Sequence, residues 1–160
     1  MIFHMPNNPS ASDGSALELW LLLLKATFRL RSHIRPIFAE RGLTGPQWRV
    51  LRMLGESATQ GLTLGQISDH LGVTGGNTTG IVDKLEEAGL VERLPHPDDR
   101  RATLLQMTAQ GQGVYGQVRP VLDQRVTELL SCLSEDDKSQ VIALLGRLLS
   151  SLPADPGCGH

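Results

Sequence analysis

The sequence predicts a mainly α protein with a small β-hairpin wing. Three observations carry that expectation. Two short capped helices meet at Leu71-Gly72-Val73, the hydrophobic period changes just after Gly89, and the leucine-rich stretches near both ends keep helical spacing. Together they describe a winged helix-turn-helix flanked by long N- and C-terminal helices.

Each element has its own signal. Residues 1–15, rich in Pro, Asn, Ser and Gly, read as a disordered arm, and 153–160 as a flexible tail. A first helix over 16–41 carries Leu17, Leu21, Leu24, Phe28, Ile34 and Phe38 near helical spacing, stops at Gly42 and should kink at Pro36. Thr44-Gly-Pro-Gln47 is a capping box with Pro in the first turn, opening a second helix through Leu54. Thr63-Leu-Gly-Gln66 opens a third, which closes at Leu71-Gly72. A fourth starts near Thr74, buries Val73, Ile81, Val82, Leu85 and Ala88, and stops at Gly89. Strand-like runs over 90–96 and 102–107 flank the charged tip Asp98-Asp-Arg-Arg101. Thr108 caps a fifth helix, bent or interrupted at Pro120, and Ser134 caps a sixth whose acidic first turn suits the helix dipole.

Composition narrows the function. At 160 residues and 40% hydrophobic content the chain builds one domain with a full core, and 4% aromatics makes that core aliphatic. The net charge of −2 creates no whole-protein attraction for nucleic acid, so any such contact must come from local patches. Cys132 and Cys158 form neither a disulfide framework nor a zinc site, and the scattered His33, His70 and His96 make no metal site. The apolar run Leu19–Leu24 is far shorter than the roughly 20 residues of a membrane span. It is followed rather than preceded by basic residues, unlike a signal peptide. The expectation is a cytoplasmic protein with no cofactor and no membrane partner. No Ser/His/Asp set, paired carboxylates or phosphate loop points to an enzyme.

The second helix of a helix-turn-helix enters the major groove by its N-terminal part. Here that part is small and polar: Thr74, Gly75, Gly76, Asn77, Thr79 and Gly80, with Asn77, Gly80 and Lys84 sharing one face. Gly inside a helix costs about 1 kcal/mol relative to Ala, so Gly80 serves either close approach to DNA or tight packing on a neighbouring helix. Asn pairs both edges of adenine, yet is also a common first-turn residue. Lys84 is a phosphate contact or a solvated charge. At the wing tip, Arg100 and Arg101 suit a narrow electronegative minor groove, and Asp99 is spaced to hold Arg101; the alternative is a surface ion pair worth under about 1 kcal/mol.

These residues resemble the MarR family. The stretch Asp83-Lys-Leu-Glu-Glu-Ala-Gly-Leu-Val-Glu-Arg93, then Asp98-Asp-Arg-Arg101, then Leu104-Leu-Gln-Met-Thr108 with Gly111, is similar to that family's signature. So is the upstream Gly42-Leu-Thr44 with Gln47-Trp48 and Leu51, and the likeness covers roughly residues 16–152. Met107 replaces the usual Leu, a volume-conserving change. The resemblance implies a homodimer on a pseudo-palindromic double-stranded operator. Its winged helix covers about 44–108, and its dimerisation helices cover about 16–42 and 108–152. It also implies that Arg101 is the minor-groove arginine and Asp99 the residue orienting it, and that a small, often aromatic, effector releases DNA from a repressor.

Candidate pocket residues are Trp20, Phe28, His33 and Trp48, although aromatics at helical spacing are usually core. No Cys precedes Cys132, so the peroxide-sensing mechanism of some relatives has no residue in its usual place, and Arg49 after Trp48 stands where urate-responsive relatives carry an acid. The sequence names neither the effector nor the operator, nor does it separate repressor from activator. A winged helix also serves as a protein-docking or RNA-binding module; the paired wing arginines beside a polar helix N-terminus favour duplex DNA.

Overall fold

The structure, a computed structural model, describes residues 12–57, 61–71, 75–96 and 102–152. The chain divides into two compact units, Met1–Ile34 and Arg35–His160. Helix α1 (Ser12–Ala39) begins four residues before its expected start, so 12–15 belong to a helix rather than to a disordered arm. Pro36 lies inside α1 without ending it; the chain leaves the helix at Gly42, whose φ of 66° a glycine adopts without strain. Within the 12–34 segment Leu17, Trp20, Leu21, Leu24 and Phe28 are all at least half exposed.

The second unit holds the core. Helix α2 (Gly45–Glu56) starts on the expected box: Gln47 N–H donates to Thr44 Oγ1 at 3.4 Å, and Thr44 N–H donates to Gln47 Oε1 at 2.8 Å. Strand β1 (Leu62–Thr63) leads straight into α3 (Leu64–Leu71), where Thr63 and Gln66 repeat that reciprocal pairing. Helix α4 (Gly75–Glu87) follows, and Gly89 at φ 68° turns the chain into β2 (Val91–Pro95). Strand β3 (Thr103–Met107) returns antiparallel, with Arg93 opposite Leu105 and Val91 opposite Met107. Sequence reading anticipated this hairpin but not β1, which pairs Leu62 with Leu105 and makes a three-stranded sheet of order β1-β3-β2. Two residues are too few to show a period of two.

Helices α2, α3 and α4 pack on one another and on the sheet around Val50, Leu51, Ile67, Val82, Leu85 and Leu105, all essentially inaccessible to water. The buried stripe of α4 differs from expectation. Ala88 is exposed and Ile81 half-buried, whereas Thr78 is fully buried with Val82 and Leu85 at the i, i+4, i+7 positions. Ser68 Oγ lies 2.9 Å from Thr78 Oγ1, which supplies the partner a buried hydroxyl needs. Val73, expected on the same stripe, lies outside the described residues.

Helix α5 (Ala109–Leu129) continues through Pro120, so of the expected bend or interruption there the interruption does not occur. Its N-terminus is tied down tightly. Thr108 Oγ1 accepts from Gly111 N–H at 3.0 Å and donates to the Gly89 carbonyl at 2.7 Å. A Cβ on Gly111 would stand 2.0 Å from the Leu90 carbonyl oxygen, so the T-x-x-G spacing is needed for the helix to sit against β2. Helix α6 (Glu135–Ser151) starts on the Ser134–Asp137 capping box and buries none of its residues; Ile142, Leu144 and Leu149 are 71%, 59% and 69% exposed.

Candidate nucleic-acid interface

The described part of the second unit that could meet a duplex is the outward face of α4. Capping fixes α3, the Ser68–Thr78 pair locks α4 against it, and Gly89 aims β2 back along α4. What remains outward on α4 is Gly76, Asn77, Thr79, Gly80 and Lys84, with Glu87 at its C-terminal end, every one exposed. A Cβ added at Gly76 or at Gly80 meets nothing within 4 Å. For Gly80 that separates the two readings: no described neighbour packs there, so the missing side chain leaves open surface instead of closing a helix–helix contact. Thr74, Asp99, Arg100 and Arg101 lie outside the described residues, so the wing tip itself is not described.

Two contacts that shape this surface escaped sequence reasoning. Arg93 on β2 reaches α4 with Nη2 2.6 Å from Asp83 Oδ1, while Nη1 bonds Glu86. The hydrogen bond that the guanidinium donates to Asp83, more than the nearby charges, holds it in its charged form and raises its pKa against a smaller opposing effect of desolvation. The signal was present: Asp83, Glu86 and Arg93 all sit inside the quoted signature, but which of its charges pair depends on how β2 folds back. The other contact is Arg49 Nη2, which donates to the carbonyl of Leu71, the last residue of α3, at 2.8 Å. Arg49 and Lys84 border a cleft of about 280 Å³ between the start of α2 and the face of α4, together with Asn77 and Gly80.

The four pocket candidates fall into different settings. Trp48 is 3% exposed and stacks on Phe38 at 5.9 Å and on Tyr115 at 5.5 Å between ring centroids, so its ring serves as core. Trp20 and Phe28, 56% and 75% exposed, and His33, also exposed, lie on the 12–34 segment of α1. A separate cavity of about 280 Å³ opens beside Tyr115, Gly55, Gln106 and Met107. Tyr115 lies so close on α2 that a Cβ at Gly55 would come within 2.8 Å of its ring. Its hydroxyl is 2.7 Å from Arg119 Nη1, which also pairs with Glu56 at 2.7 Å. Among the described residues no group of three His, Cys, Asp or Glu side chains could hold a metal ion, and no helix is long and apolar enough to cross a membrane.

A helix pair followed by a β-hairpin that β1 completes into a three-stranded sheet, with a small polar face on the second helix, defines a winged helix-turn-helix. Comparison with known proteins narrows this class. The MarR family model matches residues 41–102. The HTH-type transcriptional regulator FarR of Neisseria gonorrhoeae is 30% identical over 88% of this chain and 93% of its own. The chain belongs to the MarR family and is a transcriptional regulator. Among solved structures, Staphylococcus aureus MepR in a DNA complex superposes with a TM-score of 0.76 at 25% identity, over 82% of this chain and 96% of that one. NadR in complex with 4-hydroxyphenylacetate gives 0.70 at 26%, over 94% and 100%.

Proposed function

We propose that this regulator is a homodimeric repressor that grips a pseudo-palindromic duplex through α4 and the 96–102 wing, and that a small aromatic effector releases it. On this reading it catalyses nothing and works in the cytoplasm. The observation that carries the proposal is the outward face of α4, where Gly76 and Gly80 present bare backbone beside Asn77 and Lys84. Close approach of a helix to base edges needs such a face, and no packing among the described residues accounts for it. Thr74, Gly76, Asn77, Thr79 and Gly80 then meet the major groove, Lys84 and Arg100 the phosphates, and Arg101, held by Asp99, the minor groove. The structural relative solved with DNA supports the partner, and the one solved with 4-hydroxyphenylacetate supports an aromatic effector near Trp20, Phe28 or His33, Trp48 being taken up by the core.

The dimer is supported by the apolar surface left over. Val141, Leu144, Leu145 and Leu148 on one face of α6, and separately Leu17, Leu21 and Leu24 on α1, expose an apolar stripe that a lone soluble helix does not carry without a partner. Helices 16–42 and 108–152 are therefore assigned to dimerisation and 44–108 to DNA. The test is selection of duplexes from a randomised pool, footprinting of the winners, and sedimentation at micromolar concentration. The expected result is a dimer protecting two half-sites about one helical turn apart, in a salt-sensitive manner. A stable folded monomer of 17.4 kDa, or equal affinity for single strands, would sink the proposal.

A further inference from the structure

We propose that Arg49, on α2 and outside both the helix-turn-helix and the wing, is a phosphate-binding residue that with Lys84 forms a two-cation cleft for the DNA backbone beside Gly80. The inference rests on the DNA-binding reading above and extends it. Four Lys and Arg residues between 45 and 107 are described: Arg49, Arg52, Lys84 and Arg93. Arg52 lies 3.9 Å from Glu56, and Arg93 is held by Asp83 and Glu86. Arg49 and Lys84 pair with no carboxylate among the described residues, and both border the same cleft of about 280 Å³. Two like charges on the rim of one cleft repel until an anion comes between them, and in a chain of net charge −2 the lack of an ion pair at both, among the described residues, is not the default.

Arg49 is also held in place. Its Nη2 donates to the Leu71 carbonyl at 2.8 Å, which fixes a long side chain against α3 and removes part of the ordering cost of binding. Among the described residues neither Nε nor Nη1 has a hydrogen-bond partner, and a guanidinium edge suits two phosphate oxygens. Gly80, where a Cβ would find nothing within 4 Å, leaves the cleft unobstructed, and Asn77 stands on the same rim. All four residues are exposed, so a small free anion bound there would keep much of its water. A polyanion brings many phosphates to the surface at once and gains from counterion release, which makes the duplex backbone the fitting occupant.

The test compares the full chain with Arg49→Gln and Arg49→Lys. The probes are the duplex the unaltered chain selects from a random pool and a scrambled duplex of equal length, across 50 to 200 mM salt (about the range over which phosphate contacts are resolved). Glutamine carries no charge and ends two bonds short of Nη2, so it removes the charge and the bond to Leu71 together, whereas lysine keeps the charge. Arg49→Gln is expected to weaken both duplexes by a similar factor and to lower the salt slope by about one per subunit, while Arg49→Lys keeps the slope. Melting curves establish that each variant folds, and Arg49→Lys keeps the test decisive if Arg49→Gln does not. An unchanged slope with tight binding overturns the Arg49 assignment alone. Loss of preference between the duplexes at an unchanged slope overturns it too, making Arg49 a prop for α3. Failure of the unaltered chain to bind any duplex overturns both this inference and the reading beneath it.

Discussion

Arg93 on β2 and Asp83 on α4 are joined by an ion pair with Nη2 2.6 Å from Oδ1, and the same guanidinium bonds Glu86 one turn further along the helix. The strand that begins the wing is thereby fastened to the helix proposed to read the major groove. The bond sets an angle more than it supplies stability. Arg93 is 27% exposed and its partners 48% and 40%, so water screens the pair and leaves it worth about 1 kcal/mol.

Removing that fastening should therefore separate stability from DNA binding. Arg93→Ala is expected to lower Tm by only about 2–4 °C. It should weaken operator binding by roughly tenfold, the equivalent of about 1.4 kcal/mol, because α4 and the wing no longer share one orientation. Arg93→Lys keeps the charge and one of the two bonds, and should fall between. Melting and fluorescence anisotropy on the same samples check this, and operator affinity unchanged in Arg93→Ala would remove the fastening role.

Gly80 and Gly111 should respond in opposite ways to the same methyl group. A Cβ at Gly80 meets nothing within 4 Å, whereas at Gly111 it meets the Leu90 carbonyl at 2.0 Å and Met107 Cγ at 2.7 Å. Gly111→Ala is expected to destabilise by about 3 kcal/mol, lowering Tm by about 6–12 °C. Gly80→Ala should raise stability by about 1 kcal/mol through helix propensity, yet weaken duplex binding if bare backbone there lets α4 approach the bases. A Gly80→Ala chain that is more stable and binds equally well would show that close approach is not the reason for the glycine.

At the start of α6 the carboxylate of Asp137 accepts from Ser134 Oγ at 2.6 Å and Ser134 N–H at 3.0 Å, and these bonds, the hydroxyl's first, hold its pKa below the usual carboxylate value. A carboxyl whose folded pKa is depressed contributes stability that is fully present above its unfolded value of about 3.9 and is lost as pH falls through the folded one. Acid should therefore loosen the first turn of α6 only below about pH 4. Ser134→Ala should return the Asp137 titration toward normal and flatten the pH dependence of melting in that window. Carboxyl NMR titration reads this directly, and an Asp137 midpoint unmoved by Ser134→Ala would contradict it.

What the sequence made legible was local. Thr44 with Gln47, Thr63 with Gln66, Ser134 with its acidic turn, and Gly89 each decide their own neighbourhood within four residues, and each element they predicted is present. What escaped was set by partners distant in the chain. β1 exists because Leu105 lies beside Leu62, and Thr78 is buried because Ser68 offers it a hydroxyl. Arg49 borders the cleft beside Gly80 because the end of α3, 22 residues later, supplies the Leu71 carbonyl. The α4 face was legible for a different reason. Polar and small residues where an apolar stripe could continue are a local anomaly, visible before any fold is known. Ala88 misled because an apolar residue at helical spacing near a helix end falls beyond the last core contact.

The wing tip gives the sharpest test of the proposed interface. Asp99 and Arg101 lie outside the described residues, and their assignment rests on the two-residue spacing within Asp98-Asp-Arg-Arg101 together with family membership. If Asp99 orients Arg101 toward the minor groove, Arg101→Ala should cost more DNA affinity than Arg100→Ala, with folding intact in both. Asp99→Ala should then weaken binding as well, although it removes a negative charge from a surface facing phosphate. Simple electrostatics gives the opposite sign, since each lost acid lowers repulsion and should tighten binding, most visibly at low salt. The two accounts therefore disagree in direction as well as size. Tighter binding of the selected duplex by Asp99→Ala at physiological salt would leave the wing as a diffuse basic patch, and Arg101 would lose its distinction from Arg100.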